Sequence, residues 1–291
     1  MLGTVVAAHG RQYVVQSDDG RRVHSFPRGK KSEIACGDRV ELSFPSPDQG
    51  CIEKILPRSS LLYRSNEFRQ KLIAANVTQV VIVVASEPPF SEAVLSRCLI
   101  AAEDQGIKAL IVLNKSDLAL ACSAAELTLA PYVRLGYRVV KLSALEDVGT
   151  LRSALVGQAS VLVGQSGMGK STLTNALVPG ANAPTREISV ALQSGKHTTT
   201  HATLYVLGDT LPTPAGSWLV DSPGLQEFGL AHLDQAAVEQ AMPEFRERIG
   251  QCRFRNCRHD REPDCAIRRA VDSGEIAPAR YAVFRQLVGG A

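Results

Sequence analysis

The sequence predicts a multidomain chain: an all-β barrel over residues 1–65, an α/β domain with a mostly parallel sheet over 66–232, and a small α-helical, metal-binding domain over 233–291. Three observations predict it. The first 65 residues hold five short apolar runs separated by glycine- and proline-bearing turns, with no helical period. From Val77 onward, solid apolar runs alternate with alanine-rich stretches, as strands buried on both faces of a parallel sheet do. Three of the seven cysteines fall within the short span from Cys252 to Cys265.

At 291 residues the chain is too long for one average domain, and 45% hydrophobic with 21% charged residues is the balance of a soluble globular protein. The net charge of +3 says little, but Arg246 to Arg269 gathers eight arginines against four acids, a local basic surface. MLGTVVAAHGRQ lacks the charged and long apolar regions of a secretory leader, and no apolar run reaches membrane-spanning length. The expectation is a cytoplasmic monomer with no membrane partner. An odd cysteine count in a reducing compartment argues against a disulfide framework, and Cys36, Cys51, Cys98 and Cys122 read as buried thiols.

The barrel strands are GTVVAAH, RQYVVQS, RRVHSF, DRVELSF and CIEKILP, and the oligonucleotide-binding (OB) type is the first candidate. Such a barrel can be a pure scaffold. Arg11, Arg21, Arg22, Arg28, Lys30 and Lys31 point to nucleic-acid contact, and since only Tyr13 and Phe26 could stack on bases in the first three strands, backbone contact is favoured. PRSSLLYRSNEFRQK reads as a basic connector to the second domain.

In that domain VTQVVIVVAS, KALIVLNKSD, YRVVKLSAL and VLVGQSGMGK are strands, with helices around Ser91 to Gln105 and Ala124 to Leu135. Gly164, Gln165, Ser166, Gly167, Met168, Gly169, Lys170, Ser171 and Thr172 fit the GxxxxGK[ST] phosphate-binding loop, with Lys170 reaching the β- and γ-phosphates and Ser171 ligating Mg²⁺. Asn114, Lys115, Ser116 and Asp117 form an NKxD at a strand end. By itself this could be an ordinary turn with an Asp cap. As a base-reading element, Asp117 accepts from the adjacent ring N–H and amino group of guanine, Asn114 bonds the acceptor edge, and Lys115 packs on the ring. Ser143 and Ala144 follow one strand later, offering backbone N–H groups to the guanine O6.

Beyond the phosphate loop, Thr198, Thr199 and Thr200 are candidates to close on Mg²⁺ and the γ-phosphate. SWLVDSPGL then supplies Asp221 to hold a Mg²⁺-bound water and the Gly224 N–H to touch the γ-phosphate. Ordinary small GTPases run phosphate loop, switch threonine, DxxG, NKxD, SA. Here NKSD and LSAL come first and DSPG last, a circular permutation that feeds the switch directly into the C-terminal region.

There Cys252, Cys257, His259 and Cys265 have the spacing Cx4CxHx5C, a Cys₃His set suited to one structural Zn²⁺, with unrelated thiols or a redox pair as the alternative. Helices around Asp234 to Met242 and Ile276 to Val288 are expected to pack about it.

Taken together, NKSD, LSAL, GQSGMGKST, GKHTTTH, DSPGL and CRFRNCRHDREPDC, preceded by a small barrel, resemble the circularly permuted, small-subunit-dependent GTPases of the RsgA/YjeQ type. The resemblance implies GTP hydrolysis to GDP and phosphate, stimulated by the small (30S) ribosomal subunit, and late maturation of that subunit through its 16S rRNA. It also implies nucleotide contacts at Asn114 to Asp117 and Gly164 to Thr172, and zinc ligands at the four residues above. Leu225 stands where many GTPases place a water-orienting glutamine, and the resemblance points instead to His197, with His201 a rival. The missing glutamine leaves room for a second reading, an rRNA-binding scaffold in which GTP is a structural ligand or timer. A large-subunit GTPase and a P-loop metabolite kinase are the remaining alternatives, the latter leaving NKSD and LSAL idle.

Overall fold

The computed structural model describes residues 1–10, 12–29, 33–46, 49–66, 70–183, 202–208, 216–223 and 228–289. The five barrel strands form as β1 (Leu2–His9), β2 (Gln12–Ser17), β3 (Arg22–Pro27), β4 (Arg39–Ser46) and β5 (Gln49–Ile55). They neighbour in the order β1-β2-β3-β5-β4, and β4 returns to β1 at Leu2↔Glu41, Gly3↔Val40 and Thr4↔Arg39, so the sheet closes on itself. Among the described residues of the barrel only β3 and β5 pair in parallel. Alternation along the strands buries Val5, Tyr13, Val15, Val40, Leu42 and Ile52 inside. Tyr13 is therefore core rather than a base platform, whereas Phe26 stays exposed with Arg22 and His24 on the outer face of β3, and exposed Arg28 follows the strand.

The connector folds as a hairpin of β6 (Leu61–Ser65) and β7 (Gln70–Ala75). It reaches both ways. The Ala75 N–H donates to Cys36 O of the barrel at 2.8 Å, and the Ser65 N–H donates to Gly229 O at 2.9 Å.

The second sheet holds β8 (Gln79–Ala85), β9 (Lys108–Asn114), β10 (Arg138–Lys141), β11 (Ala159–Val163) and β13 (Trp218–Asp221), parallel in the order β10-β9-β8-β11-β13. Every residue of β8 and β11 is buried, as the unbroken apolar runs require. Antiparallel β12 (Thr203–Val206) lies between β13 and β1, joining barrel and parallel sheet into one eleven-stranded sheet. Helices α1 (Glu92–Asp104) and α2 (Ala119–Arg134) cover one face, and α3 (Gly149–Leu155) and α4 (Lys170–Leu177) the other. Ser91 caps α1, its hydroxyl accepting the Val94 N–H at 3.4 Å. α2 begins earlier than its periodicity suggests, at Ala119 instead of Ala124.

The C-terminal helices are α5 (Gln235–Gln240), α6 (Pro243–Arg246), α7 (Ala266–Asp272) and α8 (Pro278–Val288). Phe245, Ile267, Val283 and Phe284 continue the same apolar core that holds Leu95 and Leu99 of α1. Arg280, fully buried, donates Nε and Nη2 to the two carboxylate oxygens of buried Glu244 at 2.7 and 3.2 Å. Its guanidinium lies 5.9 Å from the centroid of the Tyr132 ring on α2. Cys36, Cys98 and Cys122 are buried as expected, Cys51 is half-buried, and all seven cysteines are free. Among the described residues no helix is long and apolar enough to cross a membrane.

Candidate nucleotide site and metal cluster

The base-reading and phosphate-binding motifs meet at the carboxyl ends of β9, β10, β11 and β13, where an open parallel sheet leaves a crevice for a ligand. Gly164 follows β11, and its φ of +146° and position 2.3 Å (for an added Cβ) from Val83 O admit no side chain. Lys170 opens α4 and is buried, its Nζ donating to Gly164 O and Gln165 O, both at 2.8 Å. Burial pulls its ammonium down to about 8, against the attraction of Asp221. Burial likewise pushes the Asp221 carboxyl up to about 6, opposed by Lys170. Beside it, Ser222 Oγ donates to Leu162 O at 2.6 Å, fixing the start of the DSPG segment against the phosphate-loop strand.

Asn114, the last residue of β9, is buried and ties three loops together. Its amide nitrogen donates to Met168 O in the phosphate loop at 2.9 Å, and its amide oxygen accepts the Ala144 N–H at 3.0 Å. Lys115 follows with a positive φ of 62°, its Nζ donating to Glu87 O at 2.6 Å. The Ser116 N–H donates to Leu142 O at 3.1 Å, holding the NKSD and LSAL loops side by side. Asp117 is exposed, Ser143 buried and Ala144 half-buried. In the phosphate loop Ser166 is exposed, Met168 is core, and Gln165, Gly167, Gly169, Ser171 and Thr172 are half-buried.

Two contacts go beyond what the sequence shows. The Asn114 amide oxygen and the Ala144 N–H, both expected near the base, also bond each other. Gln165 Oε1 accepts the Ser91 N–H at 2.6 Å and so joins the phosphate loop to the start of α1. The Asx-type strand end of NKSD was the one available signal for the first. The second pairs residues far apart in the chain and leaves no local pattern. His197, Thr198, Thr199, Thr200, His201 and Gly224 lie outside the described residues.

Far along the chain, the ligand atoms of Cys252, Cys257, His259 and Cys265 all lie within 4.8 Å of one another. Cys252 Sγ is 3.9 Å from Cys265 Sγ and 3.5 Å from His259 Nδ1, and His259 Nδ1 is 3.3 Å from Cys265 Sγ. A tetrahedron with metal–sulfur bonds of about 2.3 Å has edges of about 3.8 Å, so these separations fit four ligands around one ion. His259 Nε2 faces Glu239 Oε1 at 3.0 Å, and that oxygen also accepts from Gln235 Nε2 at 2.6 Å. Such a carboxylate fixes the imidazole so that Nδ1 is the metal-facing nitrogen.

The RsgA GTPase family profile matches residues 55–231. The chain is 54% identical to the small ribosomal subunit biogenesis GTPase RsgA of Burkholderia pseudomallei (strain 1710b), over 98% of this chain and 91% of that one. It belongs to the RsgA GTPase family. Its identity to the same protein of Paraburkholderia xenovorans (strain LB400) is 52%, over 98% of this chain and 92% of the relative. Among solved structures it resembles YjeQ from Thermotoga maritima, with a TM-score of 0.73 at 30% identity, covering 98% of this chain and 96% of that one. It also resembles YloQ, described as a circularly permuted GTPase, with a TM-score of 0.67 at 26% identity, covering 98% and 92%. For an RsgA family member the strand order explains the permutation: NKSD on β9 and the phosphate loop on β11 flank β8, so the motifs meet whichever is written first.

Proposed function

We propose that this chain hydrolyses GTP to GDP and phosphate on the small ribosomal subunit during its biogenesis, binding 16S rRNA there. The observation that supports this most is the Asn114 junction. It gathers the base loop, the Ser143-Ala144 loop and the phosphate loop into one mouth while Asp117 stays exposed. Relatives that match 98% of the chain carry the small-subunit biogenesis name.

In this reading the Asp117 carboxylate accepts from guanine N1–H and the 2-amino group, the Lys115 stem covers the ring, and Ser143 and Ala144 line the O6 side. Asn114 bonds the acceptor edge of the base and positions those loops, and Ser116 keeps them adjacent. The backbone N–H groups from Gly164 through Gly169 and the start of α4 cradle the phosphates, with Lys170 donating to the β- and γ-phosphate oxygens. Ser171 would hold Mg²⁺ and Asp221 a water bound to it, and the ion would supply neutralisation of phosphate charge. Gly224 meets the γ-phosphate, one of Thr198, Thr199 and Thr200 closes on Mg²⁺ and the γ-phosphate, and His197 orients the attacking water. Cys252, Cys257, His259 and Cys265 would hold one Zn²⁺, which supplies order to a loop with little to bury. The protein acts as a monomer.

Measuring GTP turnover with and without purified small subunits tests the reading. A higher rate with subunits is expected, lost in Lys170→Ala. Equal rates would overturn the coupling. Asp117→Asn is expected to weaken GTP and favour xanthosine triphosphate, whose 2-carbonyl accepts where guanine donates. His197→Ala and His201→Ala, compared at saturating GTP, separate the two candidates for water positioning.

A further inference from the structure

Phe254 is an exposed aromatic side chain of the metal lobe. It sits between the ligands Cys252 and Cys257, is 42% exposed, and belongs to none of the apolar cores. An exposed aromatic in a short loop between two ligands offers a flat π face to a planar partner. The Arg253 guanidinium lies 5.5 Å from the Phe254 ring centroid and is itself held by Asp264, Nη1 to Oδ2 at 3.1 Å. The ring is therefore braced on one side.

The charges around it are sorted. All four acids between Arg246 and Arg269 are engaged: Glu247 by Arg248, Asp260 by Arg285, and Asp264 by Arg253. The fourth, Glu262, accepts the backbone N–H groups of Arg258, Asp260 and Arg261 at 2.8, 2.9 and 3.1 Å. Among the described residues no ion pair or hydrogen bond is made by the exposed side chains of Arg255, Arg258, Arg261 and Arg269. The lobe has consumed its negative charge internally and leaves four exposed arginines close in the chain to one exposed aromatic ring. That combination recognises an unpaired nucleotide, a planar base joined to phosphates.

We infer that Phe254, braced by Arg253, stacks on one unpaired base of small-subunit rRNA while Arg255, Arg258, Arg261 and Arg269 contact the flanking phosphates. This rests on the proposed function and names the chemistry of its contact. The glycine-free loop Arg253 to Asn256, pinned by two metal ligands, holds the ring without an ordering cost on binding.

The test is binding of the full chain, loaded with a non-hydrolysable GTP analogue, to purified small subunits across a salt series. Phe254→Ala and Phe254→Leu are expected to weaken binding about 5- to 150-fold, the range of one base–aromatic stack. Phe254→Tyr is expected to stay within about twofold, since it keeps the π face. The slope of log affinity against log salt is unchanged by these three, and Arg255→Ala lowers it by about 0.7 to 0.9. Chemical probing should show one rRNA base protected by the parent and by Phe254→Tyr but not by Phe254→Ala. Parent-like binding by Phe254→Ala, or equal loss in Phe254→Leu and Phe254→Tyr, overturns the stacking while leaving the function intact. Weakened binding with no base changing its reactivity assigns the ring to a protein surface and overturns the RNA contact. Failure of the parent itself to bind small subunits overturns both.

Discussion

Removing the Glu244 carboxylate should loosen the whole C-terminal unit. Glu244 and Arg280 are 4% and 0% exposed, and the carboxylate takes both hydrogen bonds that the guanidinium gives at Nε and Nη2. Nη1 has no hydrogen-bond partner among the described residues, and the guanidinium carbon lies 5.9 Å from the Tyr132 ring centroid. In Glu244→Ala a full positive charge stays buried without its counter-charge, and breaking a buried pair from one side costs about 3–5 kcal/mol. At about 2–4 °C per kcal/mol for a chain of this size, the thermal midpoint should fall by about 6–20 °C. The double variant Glu244→Leu with Arg280→Met removes both charges and should return to within about 2 kcal/mol of the parent, because apolar replacements of a buried pair are commonly neutral or better. Scanning calorimetry on the parent, the single and the double variants measures this. A loss under about 1 kcal/mol in Glu244→Ala, or a double variant worse than the single, would refute the reasoning.

Gly169 has φ +91°, and a Cβ there would sit 2.2 Å from Asn114 Nδ2, so Gly169→Ala should disturb the loop junction and weaken labelled-GTP binding at least about tenfold, alongside about 1–3 kcal/mol of backbone strain. Glu239→Gln should lower zinc affinity about 10- to 100-fold, measured by competition with a coloured chelator, while GTP binding by the isolated protein is unchanged. The third concerns His232, whose Nδ1 is 2.6 Å from Ser65 Oγ and whose imidazole burial holds below its ordinary value. A depressed imidazole gives stability present above the unfolded value of 6.5 and lost as pH falls through the folded one. Protection of the amides at residues 228–232, taken relative to the intrinsic exchange rate at each pH, should therefore fall on acidification from pH 7.5 to pH 5.5, and Ser65→Ala should show low protection at both ends of that range.

The motifs were legible because each is a short run whose chemistry depends on its own backbone: a glycine turn, a strand-end NKxD, four metal donors. The barrel was legible for a related reason, since alternation over five short runs decides which face is buried. What escaped the sequence is made by distance. PRSSLLYRSNEFRQK gives no period strong enough to announce a hairpin, and its second set of partners, Gly229 to Ala231, lies far along the chain. Tyr13 and Phe26 are both aromatic strand residues, and the alternation that buries one and exposes the other becomes secure only once the register with neighbouring strands is set. The inward amide of Asn114 was hidden by the same logic: a residue type suited to a ligand is equally suited to a backbone N–H and a carbonyl.

The junction of β1 with β12 bears on how the protein stays apart from its neighbours. Without β1, β12 would end the parallel sheet as an open row of N–H and C=O groups backed by the buried Leu219 and Val220, a template for pairing with a second molecule. The barrel occupies that edge. A fragment trimmed to the catalytic sheet alone should therefore associate and precipitate even with every nucleotide motif intact. During synthesis, Ala7 must wait for Thr203 to emerge before this pairing can form. In that interval β1 is already held by β2 and β4, so the barrel can close early and keep its own edge from misassembling.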